Sequence, residues 1–522
     1  MVMANMVLMC VIIEYNGSAF NGMAAFLPDE TLQPMPAFLF RVFGVFLLFI
    51  FVSLMDGNPR WALKVQLRQD ADLGVRLGSM TLPALFLLSH HHFFWAAFST
   101  SLLGAMSLLY NRAPLNRFHW LFIIPLTAAA LTAIEVEGLA FMFERAVHPI
   151  QLPSVAVALG YLFFMRFGMR RLQKSFTWAE AHVVAQLIGM GLGEVVRATL
   201  IKPIDLFSAL VLSLTVGMLL IGTCCWGFLS SDMRPLGLSR PMCFYLFFAA
   251  FVGFVIQPWI YGVTQVINPW GSVIRFVLSD ATHYYLFAYW ASILFAILAV
   301  MNVQRWAGYF PLIIVRKFYH VIAIAMFLPG LVLARNFLSL SYAVALSALL
   351  LAEWLRHGNI EPFGAFLRGY IQAFVDQRDC GTLVTTHIYL LLGCAIPLWL
   401  DTGRISLGPF SGLIVLGVGD TLAALVGTQF GKHKWPGSRK SLEGTFAGIL
   451  GITVASLAME SVLGNVTELS LLLNIISAVM IMILEAVTKQ IDNLFLPLWY
   501  LIILHSSKHF LDLVHTALFE VY

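Results

Sequence analysis

The chain has 522 residues, of which 60% are hydrophobic and only 11% are charged. Soluble domains carry about 25% charged residues, so this composition argues against a soluble protein and predicts one embedded in a lipid bilayer. The net charge of +4 is too small to indicate a nucleic-acid partner, and the six cysteines lack the spacing of a disulfide scaffold or a zinc site.

Hydrophobic segments long enough to cross the hydrocarbon core recur along the whole chain. They predict an all-α polytopic integral membrane protein with roughly 14 to 16 transmembrane helices, because a transmembrane β-barrel would show shorter segments of alternating polarity. In chain order the predicted spans are 38–55, 78–110 (one helix or two), 119–143, 151–169, 181–201, 205–229, 243–265, 284–302, 307–337 (with a break near Arg316), 338–355, 382–400, 409–427, 445–463, 469–488 and 493–507.

The chain divides near residue 305 into two regions that differ in polar content. Residues 1–304 are predicted to form a multi-span membrane scaffold, whereas residues 305–522 carry clusters of charged residues at the edges of their spans. Ionisable residues inside or beside a span are costly to bury and are functional candidates by default. We therefore predict that residues 305–522 form the catalytic membrane domain.

The polar clusters of the C-terminal region are predicted to share one face of the membrane. They are Arg316, Lys317 and His320, then Arg378 and Asp379, and then His387, Asp420 and Asp492. If the loop 428–444 is cytosolic, alternation of the spans also puts 356–381 and 489–492 on the cytosolic side. That side carries most of the positive charge, as cytosolic loops usually do. The clusters are thus predicted to form one composite site facing the cytosol.

The segment Gly417–Thr445 combines groups that suit a phosphorylated ligand. Its glycines let the backbone approach a ligand closely, and its basic side chains are candidate phosphate ligands. Asp420 and Asp492 are candidate ligands for a hard cation such as Mg²⁺. Glu443 is a candidate to hold Lys440, to bind a second metal or to accept a proton. The basic side chains are Lys432, Lys434, Arg439 and Lys440.

Structural alternatives exist for each of these features. A basic loop between two spans is ordinarily a topology determinant that contacts lipid headgroups, and Arg316 with Lys317 has the pattern of a positive-inside anchor. His387 suits a packed histidine as well as a site residue. The acid in the preceding span, the six glycines and the Glu443-Gly444-Thr445 exit favour a ligand-binding loop.

Several motifs between residues 305 and 505 resemble the polyprenol kinases, most closely the dolichol kinases of eukaryotes. GVGDT at 417–421, WPG at 435–437, the basic pair Arg439-Lys440 with a hydroxyl residue, and EGT at 443–445 resemble the cytidine-nucleotide loop of that family. Further matches follow the family's order: Arg316-Lys317 with His320, Pro329-Gly330, Arg378-Asp379, THIYLLLG at 386–393 and QIDNLFLPL at 490–498. The family more usually has an acid after Gly431 and a threonine-rich, double-lysine stretch after WPG, but the changes here keep or increase the positive charge.

The resemblance implies a multi-pass enzyme of the endoplasmic reticulum membrane. It would transfer the γ-phosphoryl group of CTP to the terminal hydroxyl of dolichol with a divalent cation such as Mg²⁺, and the dolichyl phosphate formed would serve N-glycosylation and related pathways. Asp420 and Asp492 are the implied metal or catalytic acids, with Glu443 and His387 as further catalytic candidates. The implied CTP-binding residues are Gly431, Lys432, Lys434, Trp435, Pro436, Gly437, Arg439, Lys440, Ser441, Glu443, Gly444 and Thr445. Arg316, Lys317, His320, Arg378 and Asp379 are the implied substrate-binding residues.

Other functions remain open at this point. A CTP-dependent lipid cytidylyltransferase uses the same donor and metal, but its acceptor already bears a phosphate. A transporter of anionic lipid or nucleotide would also bury charges in many spans, but it should show two related halves, whereas the charges here crowd toward one face of one half. Among alcohol acceptors, phytol is an alternative to dolichol. No protein partner is inferred.

Overall fold

A computed structural model describes residues 67–68, 74–89, 93–109, 151–201, 203–230, 238–307, 312–372, 381–400, 407–467, 469–488 and 490–519. Within these ranges the secondary structure is helical and contains no β-strand. The predicted spans 38–55 and 119–143 lie outside the described residues, as do Arg378 and Asp379.

The N-terminal region contributes eight described helices. They are α1 (Val75–Leu88), α2 (Phe94–Leu109), α3 (151–171), α4 (Trp178–Leu200), α5 (206–230), α6 (Arg240–Thr264), α7 (Pro269–Leu278) and α8 (Ala281–Ala307). The predicted span 78–110 is therefore two helices. α4 starts where it does because the Thr177 hydroxyl accepts from the Glu180 amide and the Glu180 carboxylate accepts from the Thr177 amide, which is a capping box.

The C-terminal region contributes the other described helices. They are α9 (Leu312–Leu333), α10 (Arg335–Gly358), α11 (Gly364–Gln372), α12 (Thr386–Trp399), α13 (Leu413–Gln429), α14 (Leu442–Leu463), α15 (Ser470–Val487) and α16 (Asp492–Phe519). The predicted break near Arg316 is wrong, because α9 continues through that position and ends before Ala334. Arginine and lysine are good helix formers, so a basic pair does not by itself interrupt a helix.

The predicted all-α membrane fold is confirmed by the length and composition of these helices. Eight described helices are long and apolar enough to cross a membrane, and α1, α9, α12 and α13 contain shorter apolar stretches, Leu77–Leu88, Lys317–Leu333, Thr386–Trp399 and Leu413–Gln429. Helices suit the bilayer because each satisfies its backbone hydrogen bonds internally. The count of 14 to 16 spans for the whole chain stays a prediction.

Helix α16 is the centre of the described core. From Leu494 to Leu504 its hydrophobic side chains are at most 7% exposed, and a helix that is apolar all round belongs in the interior. It packs on α12, α13 and α15 of its own region and on α1 of the N-terminal region. The Trp499 indole Nε1 donates to Thr81 Oγ1 at 3.1 Å, so the two regions share one core.

Helix α13 begins with an eight-residue π-helical stretch, Leu413–Asp420, and continues as an α-helix from Thr421. The Thr421 hydroxyl donates to the Leu416 carbonyl, five residues earlier, at 3.2 Å. Short π-helical turns within α-helices are frequent at functional sites. The change of helical register in α13 falls at Asp420.

Candidate active site

A cavity of about 510 Å³ lies at one end of the C-terminal helices, where α13 and α15 end and α9, α12, α14 and α16 begin. Its walls come from all six of these helices and from the loop between α13 and α14. Of the residues predicted from the sequence, it is lined by Lys317, His320, Asp420, Gly431, Lys434, Arg439, Lys440, Ser441, Gly444, Thr445 and Asp492.

Three carboxylates form the inner part of this cavity. Asp420, Glu485 and Asp492 each offer an oxygen, and the three oxygens lie within 4.8 Å of one another. Asp420 and Glu485 are buried, and Asp492 is half-buried. Carboxylate oxygens are ligands that Mg²⁺ prefers, so this donor set fits a divalent cation.

Asp420 is held by two side chains of α9. Lys317 Nζ lies 2.5 Å from Asp420 Oδ2, and His320 Nδ1 lies 3.0 Å from the same oxygen. Residues three apart lie on the same face of a helix, so Lys317 and His320 reach Asp420 together. The Asp420 side chain is only 4% exposed, and a carboxylate buried to this extent needs such partners.

Lys440 is the cation that pairs with the other two acids, Glu485 and Asp492. Its ammonium contacts a Glu485 carboxylate oxygen, donates to the Glu485 carbonyl at 2.7 Å, and lies 3.7 Å from Asp492 Oδ1. Burial alone would lower the pKa of Lys440, but the charges of Asp492 and Glu485 outweigh this effect and raise that pKa above its usual value. Lys440 is therefore charged at neutral pH, and the three carboxylates face two ammonium groups, those of Lys317 and Lys440.

The loop between α13 and α14 presents the start of α14 to the cavity. Residues Lys434 and Ser441 form an isolated antiparallel bridge, and Ser441 Oγ caps α14 by accepting from the Gly444 amide at 3.2 Å. Only glycine fits at 444, because a Cβ there would lie 2.5 Å from the Ala423 carbonyl oxygen. A helix N-terminus carries free N–H groups and partial positive charge, so this one favours an anion.

Lys434 and Arg439 line the outer part of the cavity from the same loop. Both side chains are exposed, and among the described residues neither is paired with an acid. They differ in this from Lys317 and Lys440, whose charges are already matched. Lys434 and Arg439 are therefore the basic groups best placed to meet phosphates of an incoming ligand.

Several predicted CTP-binding residues belong to the loop without lining the cavity. Lys432, Pro436 and Gly437 are exposed, and the Trp435 indole donates to Thr445 Oγ1 at 2.9 Å. The Glu443 carboxylate accepts a hydrogen bond from the backbone amide of His433 at 3.0 Å and lies 2.7 Å from His433 Nδ1. Glu443 thus holds His433 and not Lys440. The acid that contacts Lys440 is Glu485.

The remaining predicted residues have different surroundings. The His387 ring packs edge-on against Tyr319 with centroids 5.7 Å apart, whereas its neighbour Thr386 lines the cavity. Position 316 lies in the second turn of α9, but the Arg316 side chain is not among those described. The catalytic role of His387 and the substrate-binding role of Arg316 stay predictions.

Sequence reasoning missed Glu485, Thr386 and Asn493, which also line the cavity. Asn493 Nδ2 donates to the Thr386 carbonyl at 3.4 Å, so the starts of α12 and α16 are joined there. Glu485 had a detectable signal, because it is an acid within a membrane-length apolar run. Thr386 and Asn493 lie in the matched motifs at 386–393 and 490–498, but residues of these types are common at helix starts for structural reasons, so neither stood out as a site residue.

A family profile described as "Dolichol kinase" matches residues 153–397. The "Dolichol kinase" of Mus musculus is 32% identical over 410 residues, which cover 73% of this chain and 75% of that protein. The "Dolichol kinase" of Bos taurus is 33% identical over 415 residues, covering 73% and 74%.

A plant relative extends the similarity further along the chain. "Dolichol kinase EVAN" of Arabidopsis thaliana is 28% identical over 536 aligned residues, covering 87% of this chain and 92% of that protein. No solved structure gives a significant match. The identity to the mammalian proteins, over three quarters of their length, shows the family. This chain belongs to the dolichol kinase family.

Proposed function

We propose that this protein is a dolichol kinase that transfers the γ-phosphoryl group of CTP to the terminal hydroxyl of dolichol. The observation that carries the proposal is one cavity, at the end of a membrane helix bundle, in which three carboxylates lie beside basic loop residues and a helix N-terminus. Phosphoryl transfer needs positioned phosphates and neutralised charge more than covalent chemistry from the protein. The names of the relatives, all dolichol kinases, support the acceptor.

The donor phosphates bind, in this proposal, between the loop and the start of α14. Lys434 and Arg439 supply charge without first breaking an ion pair, and the amides near Ser441 and Gly444 supply the helix N-terminus. CTP is favoured over other nucleotides by the resemblance of Gly417–Thr445 to the family's cytidine-nucleotide loop. The sequence holds no P-loop pattern to favour a different mode of binding.

The carboxylates have two roles in the transfer. Asp420, Glu485 and Asp492 would hold a divalent cation, which when bound neutralises charge on the donor phosphates. Lys317 and His320 keep Asp420 oriented, and Lys440 does the same for Glu485 and Asp492. One of the acids accepts the proton of the dolichol hydroxyl as that oxygen bonds to the γ-phosphorus; the bond from the γ-phosphorus to the bridging oxygen breaks, and CDP leaves.

Dolichol reaches the hydroxyl-binding part of the cavity from the bilayer. Asp420 lies nine residues before the end of α13, so the cavity extends about 13 Å along the helix bundle from the loop. A long apolar alcohol can thus place its terminal hydroxyl beside the acids while its chain stays in lipid. The resemblance to the dolichol kinases supports a location in the endoplasmic reticulum membrane, with the CTP loop on the cytosolic side and dolichyl phosphate supplied to N-glycosylation.

The test is a label-transfer assay on the full-length protein purified in detergent. CTP labelled with ³²P at the γ position should label dolichol, CTP labelled at the α position should not, and ATP and phytol should be poor substitutes. Label from the α position in a phosphorylated lipid acceptor would identify a cytidylyltransferase and overturn the proposal. Absence of transfer from CTP to dolichol, in protein shown to be folded by its melting transition, would also overturn it.

A further inference from the structure

The connection between α3 and α4, residues 172–177, joins the N-terminal region to two segments that lead into the cavity. One segment is 381–385, which runs directly into α12 and the cavity residue Thr386. The other is the turn at Gln490, which runs directly into α16 and Asp492. The connection itself does not line the cavity, so its side chains act through these two segments.

The contact with the second segment is a buried side-chain hydrogen bond. Thr177 Oγ1 donates to Gln490 Oε1 at 2.7 Å, and the two residues are 1% and 3% exposed. The amide nitrogen of Gln490 packs tightly against Gly74, because a Cβ added at Gly74 would lie 2.3 Å from Gln490 Nε2. Gln490 is therefore fixed on both sides, two residues before Asp492.

The contact with the first segment is a pair of hydrogen bonds donated by its backbone amides. The Thr382 amide donates to the Gln173 carbonyl at 3.0 Å, and the Leu383 amide donates to Ser175 Oγ at 3.0 Å. The Val384 amide donates to the buried Glu353 carboxylate of α10 at 3.1 Å. The segment before Thr386 is thus held both by the α3–α4 connection and by α10.

The connection is itself anchored in the N-terminal core. Glu180, which completes the capping box with Thr177, forms an ion pair with Arg68 at 2.7 Å, with the side chains 0% and 3% exposed. The Arg68 amide also donates to the Phe176 carbonyl at 3.0 Å. A buried ion pair with these additional hydrogen bonds has few alternative arrangements, which makes it a rigid support.

We propose that the α3–α4 connection is a positioning element for the active site, with Thr177 as the residue that fixes Asp492 through Gln490. This assignment rests on the proposed function of the cavity, and it gives the N-terminal region a part in catalysis beyond that of a scaffold. Reacting groups must be held to within a fraction of an ångström, so the loss of one orienting hydrogen bond next to Asp492 reduces turnover.

The test compares four variants in the label-transfer assay. Thr177→Val and Gln490→Met each remove the hydrogen bond, and the second leaves the cap of α4 intact. Thr177→Ser keeps the bond, and Thr81→Val removes a different inter-region bond, Thr81–Trp499, two turns further along α16. The first two should lower kcat about tenfold or more and raise the half-saturating Mg²⁺ concentration. The last two should keep both values close to wild type at matched melting temperature.

If Thr177→Val and Gln490→Met both kept the turnover and the Mg²⁺ dependence of the wild type, the positioning role would be overturned and the proposed function would stand. If the wild-type protein itself transfers no phosphoryl group to dolichol, the proposed function fails instead. Hydrogen exchange then decides the positioning role. Exchange in peptides covering 488–495 should be faster in Thr177→Val than in Thr81→Val, and equal rates would overturn the inference.

Discussion

Two buried charge clusters among the described residues differ in their balance of cations and acids. In the N-terminal region Arg68 and Glu180 form one ion pair at 2.7 Å, with a single cation for a single acid. In the cavity, Lys317 and Lys440 face three acids, Asp420, Glu485 and Asp492. The first cluster is complete within the protein, whereas in the second three acids share two ammonium groups beside an open volume that the unpaired Lys434 and Arg439 also line.

This difference separates a structural ion pair from a functional one. Burying charge is costly in both clusters, and the Arg68–Glu180 pair recovers the cost through its own hydrogen bonds. The cavity cluster recovers it only in part, and a bound cation with its phosphates would complete the balance. Charge that the protein leaves unmatched in a cavity therefore indicates a ligand better than burial alone does.

The largest effect should come from Asp420→Asn, which removes a carboxylate and leaves Lys317 unmatched. We expect phosphoryl transfer to fall about a hundred- to a thousandfold, the scale seen when one preorganised charge at a reacting centre is lost. Steady-state assays with CTP and dolichol measure it. Asp205→Asn is the control, since Asp205 is an exposed cap at the start of α5 and should tolerate the change. Wild-type transfer by Asp420→Asn would remove Asp420 from the cation site.

A smaller effect is expected for Glu485→Gln, which leaves two of the three acids in place. The half-saturating Mg²⁺ concentration should rise about ten- to a hundredfold, because the cation loses one ligand while the fold keeps a side chain of the same shape. Titration of activity with Mg²⁺ measures the shift. Glu460→Gln is matched to it, because Glu460 of α14 accepts a hydrogen bond from Asn474 of α15 at 2.9 Å and does not line the cavity. An equal shift in both variants would contradict a specific role for Glu485.

Arg439→Ala should change binding of the donor more than the chemical step. The KM for CTP should rise about three- to tenfold, the value of one charge-assisted hydrogen bond at an exposed site, and the difference should shrink as salt is added. Lys432→Ala should change it less, because Lys432 lies in the same loop but does not line the cavity. The reverse order of the two variants would show that the loop binds the nucleotide by a different face.

Glu180→Gln should have the smallest effect on the cation requirement of the enzyme. It leaves the Arg68 charge buried without its partner, so we expect a stability loss of about 3–5 kcal/mol, seen as a lower melting temperature in detergent. The half-saturating Mg²⁺ concentration should rise less than in Glu485→Gln, because Glu180 acts on the cavity only through the α3–α4 connection. Glu194→Gln on the same helix breaks a pair that is 23–26% exposed and should cost at most about 1 kcal/mol. A shift in Mg²⁺ dependence as large as that of Glu485→Gln would remove the distinction between the two clusters.

Much of the candidate site could be predicted because charge in an apolar chain stands out. Lys317, Asp420, Lys440 and Asp492 each interrupt or border a hydrophobic run, and the structure brings all four to one cavity. Glu485 lies three residues from the end of the predicted span 469–488, where an acid resembles the ordinary polar end of a helix. It was missed because an acid near the end of a span is a weaker signal of function than an acid at the centre of a span.

The partners of these residues could not be predicted from the sequence. Lys317 and Asp420 are 103 positions apart, and Thr177 and Gln490 are 313 apart. Such pairs follow from helix packing, which one sequence does not specify. For Glu443, local reasoning named Lys440, three residues away, but the loop folds back so that the amide of His433, ten residues away, reaches the carboxylate first. The all-α membrane fold needed no such information, because segment length and composition determine it.

The π-helical stretch Leu413–Asp420 makes α13 unusually sensitive to a change in residue number. A π-helix accommodates more residues per turn, so deleting one residue lets the stretch relax into an ordinary α-helix. Successive residues of an α-helix are rotated by about 100°, and one face of α13 would have to turn. Either Asp420 would lose its contact with Lys317, or the residues before Asp420 would lose their contacts with α16. A single-codon deletion here would keep the hydrophobicity of the span and still inactivate the enzyme. The composition of such an allele would look normal, and only the change of helical register would reveal the defect.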